Sequence, residues 1–183
     1  MNIEQSGIFI NTNSTGSIIN NSIIADTKNG VRGFGIKVGG NSEAEVINNH
    51  IEGFLNGIEL DNQPGDVFYN NFQNVTNMFS GAYSIPFAGN LATVNHLGTT
   101  SDIYYNTKED PQFTKPYGFV YGQVNWADTA NNRKPELTHI FQDTYNFAPK
   151  SSSPLINAGS ETYTDIDGTR SDIGAIAFDF GNP

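Results

Sequence analysis

Short apolar runs broken by paired asparagines recur along the first part of the chain: "SIINNSII" (residues 17–24), "EVINNHIEGFLNGIEL" (45–60) and "DVFYNNFQNV" (66–75). A second signal travels with them. Gly-Ile pairs begin at Gly7 ("GIFI"), Gly35 ("GIKV") and Gly57 ("GIEL"), the Asn-Asn pairs begin at Asn20, Asn48 and Asn70, and each Gly-to-Asn interval is 13. Successive Gly-Ile pairs lie 28 and then 22 residues apart, and the six extra residues fall in "ADTKNGVRGF", whose glycines and polar groups read as an inserted loop.

Within each unit the apolar positions alternate with a period of two, the signature of short half-buried strands. Strands and turns repeating every twenty-odd residues predict a parallel β-solenoid, with consecutive coils about 4.8 Å apart and equivalent residues stacked in columns. Ile8, Ile36 and Ile58 are expected in one inward column, and Ile10, Val38 and Leu60 in another. Phe9, Lys37 and Glu59 are expected on the outer face. Asn tolerates left-handed backbone at a tight corner, and its amide can bond the amide of the next coil. Asn20/Asn48/Asn70 or Asn21/Asn49/Asn71 is the expected ladder. "FYNNF" carries its aromatic one residue earlier than "INNHI" carries Ile51, which leaves the third register open.

Composition narrows the partners. The 183 residues carry 37% hydrophobic and only 15% charged side chains, which disfavours a helical bundle and charged disorder. The net charge of −10, with nine scattered basic residues, disfavours nucleic acid and anionic membranes as partners and repels a polyanionic sugar. No apolar run approaches a membrane span, so no membrane insertion is expected. Without cysteine there is no disulfide, thiol catalysis or thiolate metal site. "MNIEQSGIFI" lacks the basic and apolar segments of a signal peptide, so a secreted parent would carry that signal outside these residues.

"GIxI…VINNxI" resembles the right-handed parallel β-helix proteins of the pectate-lyase-like superfamily. The C-terminal part strengthens the resemblance: "DPQF" (110–113), "SSPLINAGS" (152–160) and "DIDGTRSDIGAIAF" (165–178) occur in order and look like the closing segment of bacterial secreted β-helix proteins. The resemblance covers about residues 6–80 and 110–178. It implies an all-β fold, a short right-handed parallel β-helix of about three legible coils at 1–81. An irregular extension and tail at 82–183 would pack on it within the same domain. It also implies an extracellular or cell-surface setting. Residues 82–106 and 121–145 match no coil pattern, and no cap precedes the first coil. An uncapped end exposes edges and core, which favours self-association through the open end.

The candidate chemistry is sparse. Lys37, Glu59 and Asp61 are the catalytic candidates, because Glu59 and Asp61 on one strand face would stand about 6.5–7 Å apart, near the acid–base spacing of an inverting glycosidase. Enzymes of the superfamily work on an outer sheet face with a basic residue as proton acceptor. The competing and favoured reading is a surface ion pair. Tyr104, Tyr105 and Trp126 are the candidate sugar-stacking rings, set against the favoured reading that aromatics after residue 67 pack the extension. Asp165, Asp167 and Asp172 make Ca²⁺ conceivable, but the distal Glu of an EF-hand series is missing. The favoured alternative there is a turn through Gly168, with Arg170 paired to a carboxylate. No cofactor or other metal is expected. His50, His96 and His139 share no ligand spacing, and His50 is expected at an outer position of the Asn-rich column. The leading expectation is a non-catalytic module for capping, adhesion or contact with a polysaccharide. A polysaccharide lyase or glycoside hydrolase, or a structural fibre subunit, are the alternatives.

Overall fold

In the computed structural model, which describes residues 6–25, 32–62, 65–115, 120–125, 136–142 and 146–178, the alternating stretches become short strands, three to a pass. The first pass holds β1 (Ser6–Ile10), β2 (Thr15–Ile19) and β3 (Ser22–Ile24). The second holds β4 (Phe34–Val38), β5 (Glu43–Ile47) and β6 (His50–Glu52), and the third β7 (Asn56–Leu60), β8 (Val67–Phe68) and β9 (Asn71–Gln73). β10 (Asn77–Ser80) opens a fourth. Each strand pairs in parallel with its counterpart one pass later, giving sheets β1-β4-β7-β10, β2-β5-β8 and β3-β6-β9. The described residues are therefore all-β and compatible with a β-solenoid.

The columns fall where alternation placed them. Ile8, Ile36 and Ile58 are register partners, as are Ile10, Val38 and Leu60. Ile36, Val38, Ile58 and Leu60 are fully buried, and Phe9, Lys37 and Glu59 face outward together. Ile18, Val46 and Val67 come in from the second sheet, and Ile23, Ile51 and Phe72 from the third, to complete one core. Each such side chain contributes about 1.5–3 kcal/mol on leaving water.

The recurring glycine has a packing reason. A Cβ on Gly35 would overlap Ile51 Cγ2 and stand 2.8 Å from the carbonyl of Gly57. A Cβ on Gly57 would overlap the Phe72 ring. Only hydrogen fits where the first and third sheets approach.

The asparagine ladder uses a mixed register. Asn20 and Asn48 take left-handed φ of 55° and 58°, but the third-pass residue at that corner is Tyr69, with φ 56°. Ile47 pairs with Phe68, so Asn49 stands over Asn70, not Asn71. The ladder is therefore Asn21, Asn49 and Asn70. Both the backbone N–H and Nδ2 of each donate to Oδ1 of the next, at 3.1 and 3.0 Å for Asn21 to Asn49 and again for Asn49 to Asn70. The constant 13-residue interval thus joins two corner residues to one rung residue. Register partners Val38 and Leu60 are 22 residues apart but Val46 and Val67 only 21, so the path from the first sheet to the second is one residue shorter in the third pass.

A further rung comes from a stretch with no visible coil pattern. Thr107 bridges Asn71 in parallel, and Tyr69 N–H donates to the Tyr104 carbonyl. Tyr105 repeats the left-handed corner at φ 62°, and Asn106 Oδ1 accepts from Asn70 N and Nδ2 at 2.9 and 3.1 Å. The ladder ends on the buried Asp102 carboxylate. It receives the Asn106 and Tyr104 N–H groups, each at 2.9 Å, and the Gly89 N–H at 2.8 Å. β11 (Thr93–Val94) and β12 (Thr100–Ser101), an antiparallel pair, lie in the connecting stretch.

The tail clasps the corner column. Asn48 Nδ2 donates to Ser171 Oγ at 2.8 Å, its Oδ1 accepts from Ser160 N at 2.8 Å, and its carbonyl accepts from Gly174 N at 2.9 Å. Leu155, Ala158 and Ile173 form a small core of their own under this clasp.

The chain divides into two compact units, Met1–Gln112 with Pro149–Pro183, and Phe113–Ala148. In the second, β14 (Val120–Asn125) pairs antiparallel with β15 (Glu136–Gln142). β13 (Phe113–Lys115) pairs with β16 (Asn146–Pro149), where the Phe113 and Phe147 rings meet edge-on at 5.5 Å.

Candidate functional site

Parallel pairing of β4 with β7 sets Lys37 beside Glu59, and their side chains form an ion pair at 2.6 Å. Phe34 lies 5.1 Å from the ammonium on the same strand. The two opposite charges thus satisfy each other on a face that is mostly covered. Asp61 follows the end of β7 and is exposed. Of the three catalytic candidates, Lys37 and Glu59 meet on one sheet and Asp61 lies just beyond the end of β7.

Tyr104 and Tyr105 part company by alternation. Tyr105 stacks on Tyr69 at 4.9 Å in the corner column, and the Arg170 guanidinium lies 5.5 Å from the other member, Tyr69. Tyr104 stacks on Phe68 at 5.7 Å, continuing the outer column of the second sheet, and its hydroxyl donates to the Pro86 carbonyl at 3.0 Å. Trp126 lies outside the described residues, as do Tyr117, Phe119 and Tyr145.

Tyr104 opens onto a groove that sequence reasoning missed. A hollow of about 180 Å³ is lined by Asp66, Phe68, Tyr83, Ile85, Pro86 and Tyr104. A shallower one of about 470 Å³ runs on from it past Asp66 and Gly65 to Glu45, Glu43, Ser17 and Thr15. Register explains the grouping: Ser17 pairs with Glu45, and Val46 with Val67, so Glu45 and Asp66 are outward neighbours on adjacent passes. Ser17 Oγ donates to Glu45 Oε2 at 2.8 Å. The groove therefore offers aromatic faces at one end and carboxylate acceptors at the other, with no basic side chain among the described residues that line it. The likeness of "FYNN" (68–71) and "YYNT" (104–107) was the available signal that Tyr104 joins this sheet.

The aspartates of the tail are engaged with the tail itself. Asp167 Oδ1 accepts from Thr169 N and Oγ1 at 2.9 and 2.7 Å around Gly168, whose φ is 82°. Asp172 accepts the Asn157 and Phe178 N–H groups at 2.6 Å each, and Asp165 Oδ2 accepts the Asp172 N–H at 3.0 Å. Burial first, and then the neighbouring Asp172 charge, push the Asp165 carboxyl up to about 6 from its ordinary 3.8. Burial also raises Asp172, against the N–H bonds from Asn157 and Phe178 that favour its anion. Among the described residues no three acidic or histidine side chains converge as metal ligands would. Arg170 pins the tail, but through a 2.6 Å bond from Nε to the Gly159 carbonyl and the Tyr69 ring, where a carboxylate had been expected.

His50 stands in the expected column beside Asn71 and is hydrogen-bonded, but it is covered and not at the surface. It is fully buried between passes, with Nε2 3.3 Å from Glu52 and Nδ1 3.0 Å from Asn71 Nδ2. The tail roofs it, since a Cβ on Gly174 would stand 3.7 Å from His50 Cβ. His96 Nε2 lies 2.9 Å from the Asn157 carbonyl. His139 falls in β15, where only the backbone is described. Among the described residues no helix is long and apolar enough to cross a membrane.

Searches of family models, curated proteins and solved structures find no match to this chain.

Proposed function

We propose that this chain is a non-catalytic module, built as a short right-handed parallel β-helix, that contacts a neutral glycan along the β2-β5-β8 groove. The observation that carries the reading is the continuity of the stacked Phe68–Tyr104 pair with the Glu45–Asp66 carboxylates. Aromatic faces take the apolar face of a sugar ring, and carboxylates accept its hydroxyl protons. A uronate polymer would meet the acidic lining as a like charge. The Lys37–Glu59 ion pair supports the non-catalytic part, because each charge is engaged by the other. An extracellular or cell-surface setting follows from the resemblance of the repeat and tail to secreted β-helix proteins.

Affinity electrophoresis in gels carrying neutral glucan, xylan or polygalacturonate tests the proposal. Retardation by a neutral polymer is expected. Tyr104→Ala should weaken it about tenfold, as loss of a stacking face costs on the order of 1 kcal/mol or more. Glu45→Gln, on an exposed strand position, should weaken it less without perturbing the fold. Retardation by no neutral polymer, retention unchanged in both variants, or depolymerisation of any of the three would overturn the reading.

A further inference from the structure

The hollow at the aromatic end of the groove is lined from three places: residues 65–68, residues 83–86 and Tyr104. Neither the 83–86 stretch nor Tyr104 lies in a strand, so no sheet register fixes the distance between them. One side-chain bond joins them directly, from the Tyr104 hydroxyl to the Pro86 carbonyl at 3.0 Å, and it is open to competing water.

Both places also carry backbone that a bulky side chain resists. Phe87 takes φ 63° and Tyr105 takes φ 62°, left-handed values that persist only where other contacts impose them. The turn around Phe87 has bonds of its own, from Ala88 N–H to the Ile85 carbonyl at 3.2 Å and from Asn90 N–H to the Phe87 carbonyl at 3.1 Å. The Phe87 ring adds little packing in return, since it is 68% exposed.

A single buried group bonds to both. Asp102 has no exposed surface. Its Oδ1 accepts the Tyr104 and Asn106 N–H groups at 2.9 Å each. Its Oδ2 accepts the Gly89 N–H at 2.8 Å and Asn106 Nδ2 at 3.1 Å. Donors face both oxygens, and only a carboxylate accepts at both. Bonds of this charge-assisted kind are the stronger ones.

We infer that Asp102 is a positioning residue for the glycan groove: it holds the 85–89 turn and Tyr104 at one separation, so the hollow is formed before a sugar arrives. The inference deepens the proposed function and rests on it for the ligand, a neutral glycan. A preformed site spares the ordering cost of binding, and that saving is what loss of Asp102 would remove.

The test is Asp102→Asn in the full chain. The amide keeps one oxygen toward the Tyr104 and Asn106 N–H groups and sets its NH₂ against the Gly89 N–H. In the free protein, hydrogen exchange at Gly89 should quicken at least about tenfold, with exchange in β4–β9 unchanged. The Tyr104 ring signals of tyrosine-labelled protein, assigned by their absence in Tyr104→Ala, should shift. Retardation by the neutral polymer that holds the wild type should weaken about tenfold. Adding Phe87→Asn should recover about threefold or more of that loss, because asparagine accepts the left-handed turn that Phe87 resists. General destabilisation gives no such rescue. Unchanged Gly89 exchange, unmoved Tyr104 signals, retardation equal to the wild type's, no recovery in the double variant, or exchange that quickens through β4–β9 would overturn the inference and leave the glycan reading standing. A wild type retarded by no neutral polymer would overturn both.

Discussion

Asn48 and Asn49 are adjacent, both fully buried, and depend on different parts of the molecule. Asn49 is completed by the repeat: Asn21 lies on one side and Asn70 on the other, 28 and 21 residues away. Asn48 is completed by the tail, through Ser160 and Ser171, 112 and 123 residues away. A rung couples its neighbours, so its loss should propagate along the stack. A corner residue held by one non-repeating segment should release only that segment.

The strongest way to break the comparison is Asn49→Leu. It removes the acceptor of the Asn21 N–H and Nδ2, one of the two donors to Asn70 Oδ1 and the donor to the Ile18 carbonyl, and should cost about 3–4 kcal/mol. At about 2–4 °C per kcal/mol for a chain of this size, calorimetry should show the melting temperature falling by about 6–16 °C. Asn48→Gly is the matched test, because glycine keeps the left-handed corner at φ 58° and removes only the amide. It should cost about 1–2 kcal/mol, with faster hydrogen exchange at Ser160, Ser171 and Ile173 and unchanged exchange in β4 and β5. Equal losses in the two variants, or exchange changes that spread through both regions, would erase the distinction.

The smallest expected effect sharpens the tail side alone. Asp165 is raised to about 6 in the folded chain, so its protonated form is the stabilising one. That contribution is complete below pH 3.8 and is lost as pH rises through 6. Asp165→Asn imitates the protonated carboxyl and can still accept the Asp172 N–H. It should leave stability unchanged near pH 3.5. Above pH 7 it should raise it by about 1 kcal/mol or less, because water screens this half-exposed group. A chemical denaturation series across that range checks both ends.

Much of the stack was legible in the residues. The inward columns of Ile36, Ile58, Val38 and Leu60, and the outward Lys37 and Glu59, follow from period-two alternation and the 22-residue step. The ladder register was not legible, because a one-residue shortening of the path between two sheets leaves the Asn-Asn letters in place while sliding them by one position. His50 looked like a surface residue since its alternation is outward; the tail that roofs it lies more than a hundred residues on. Of the groove, the Glu45–Asp66 neighbours depend on that same slid register, and Tyr104 on a connection of irregular backbone.

By itself the sequence determined the local periods: which residues alternate, where glycine must stand to let two sheets approach, and where the backbone can turn left-handed. These are decided by side-chain volume and backbone sterics within a few residues. Only the tertiary structure decided which asparagine faces which, that Asp102 closes the ladder, and that Ser160 and Ser171 complete Asn48. The reason is that a hydrogen bond between distant segments depends on the summed length of every turn between them. No local pattern records that sum.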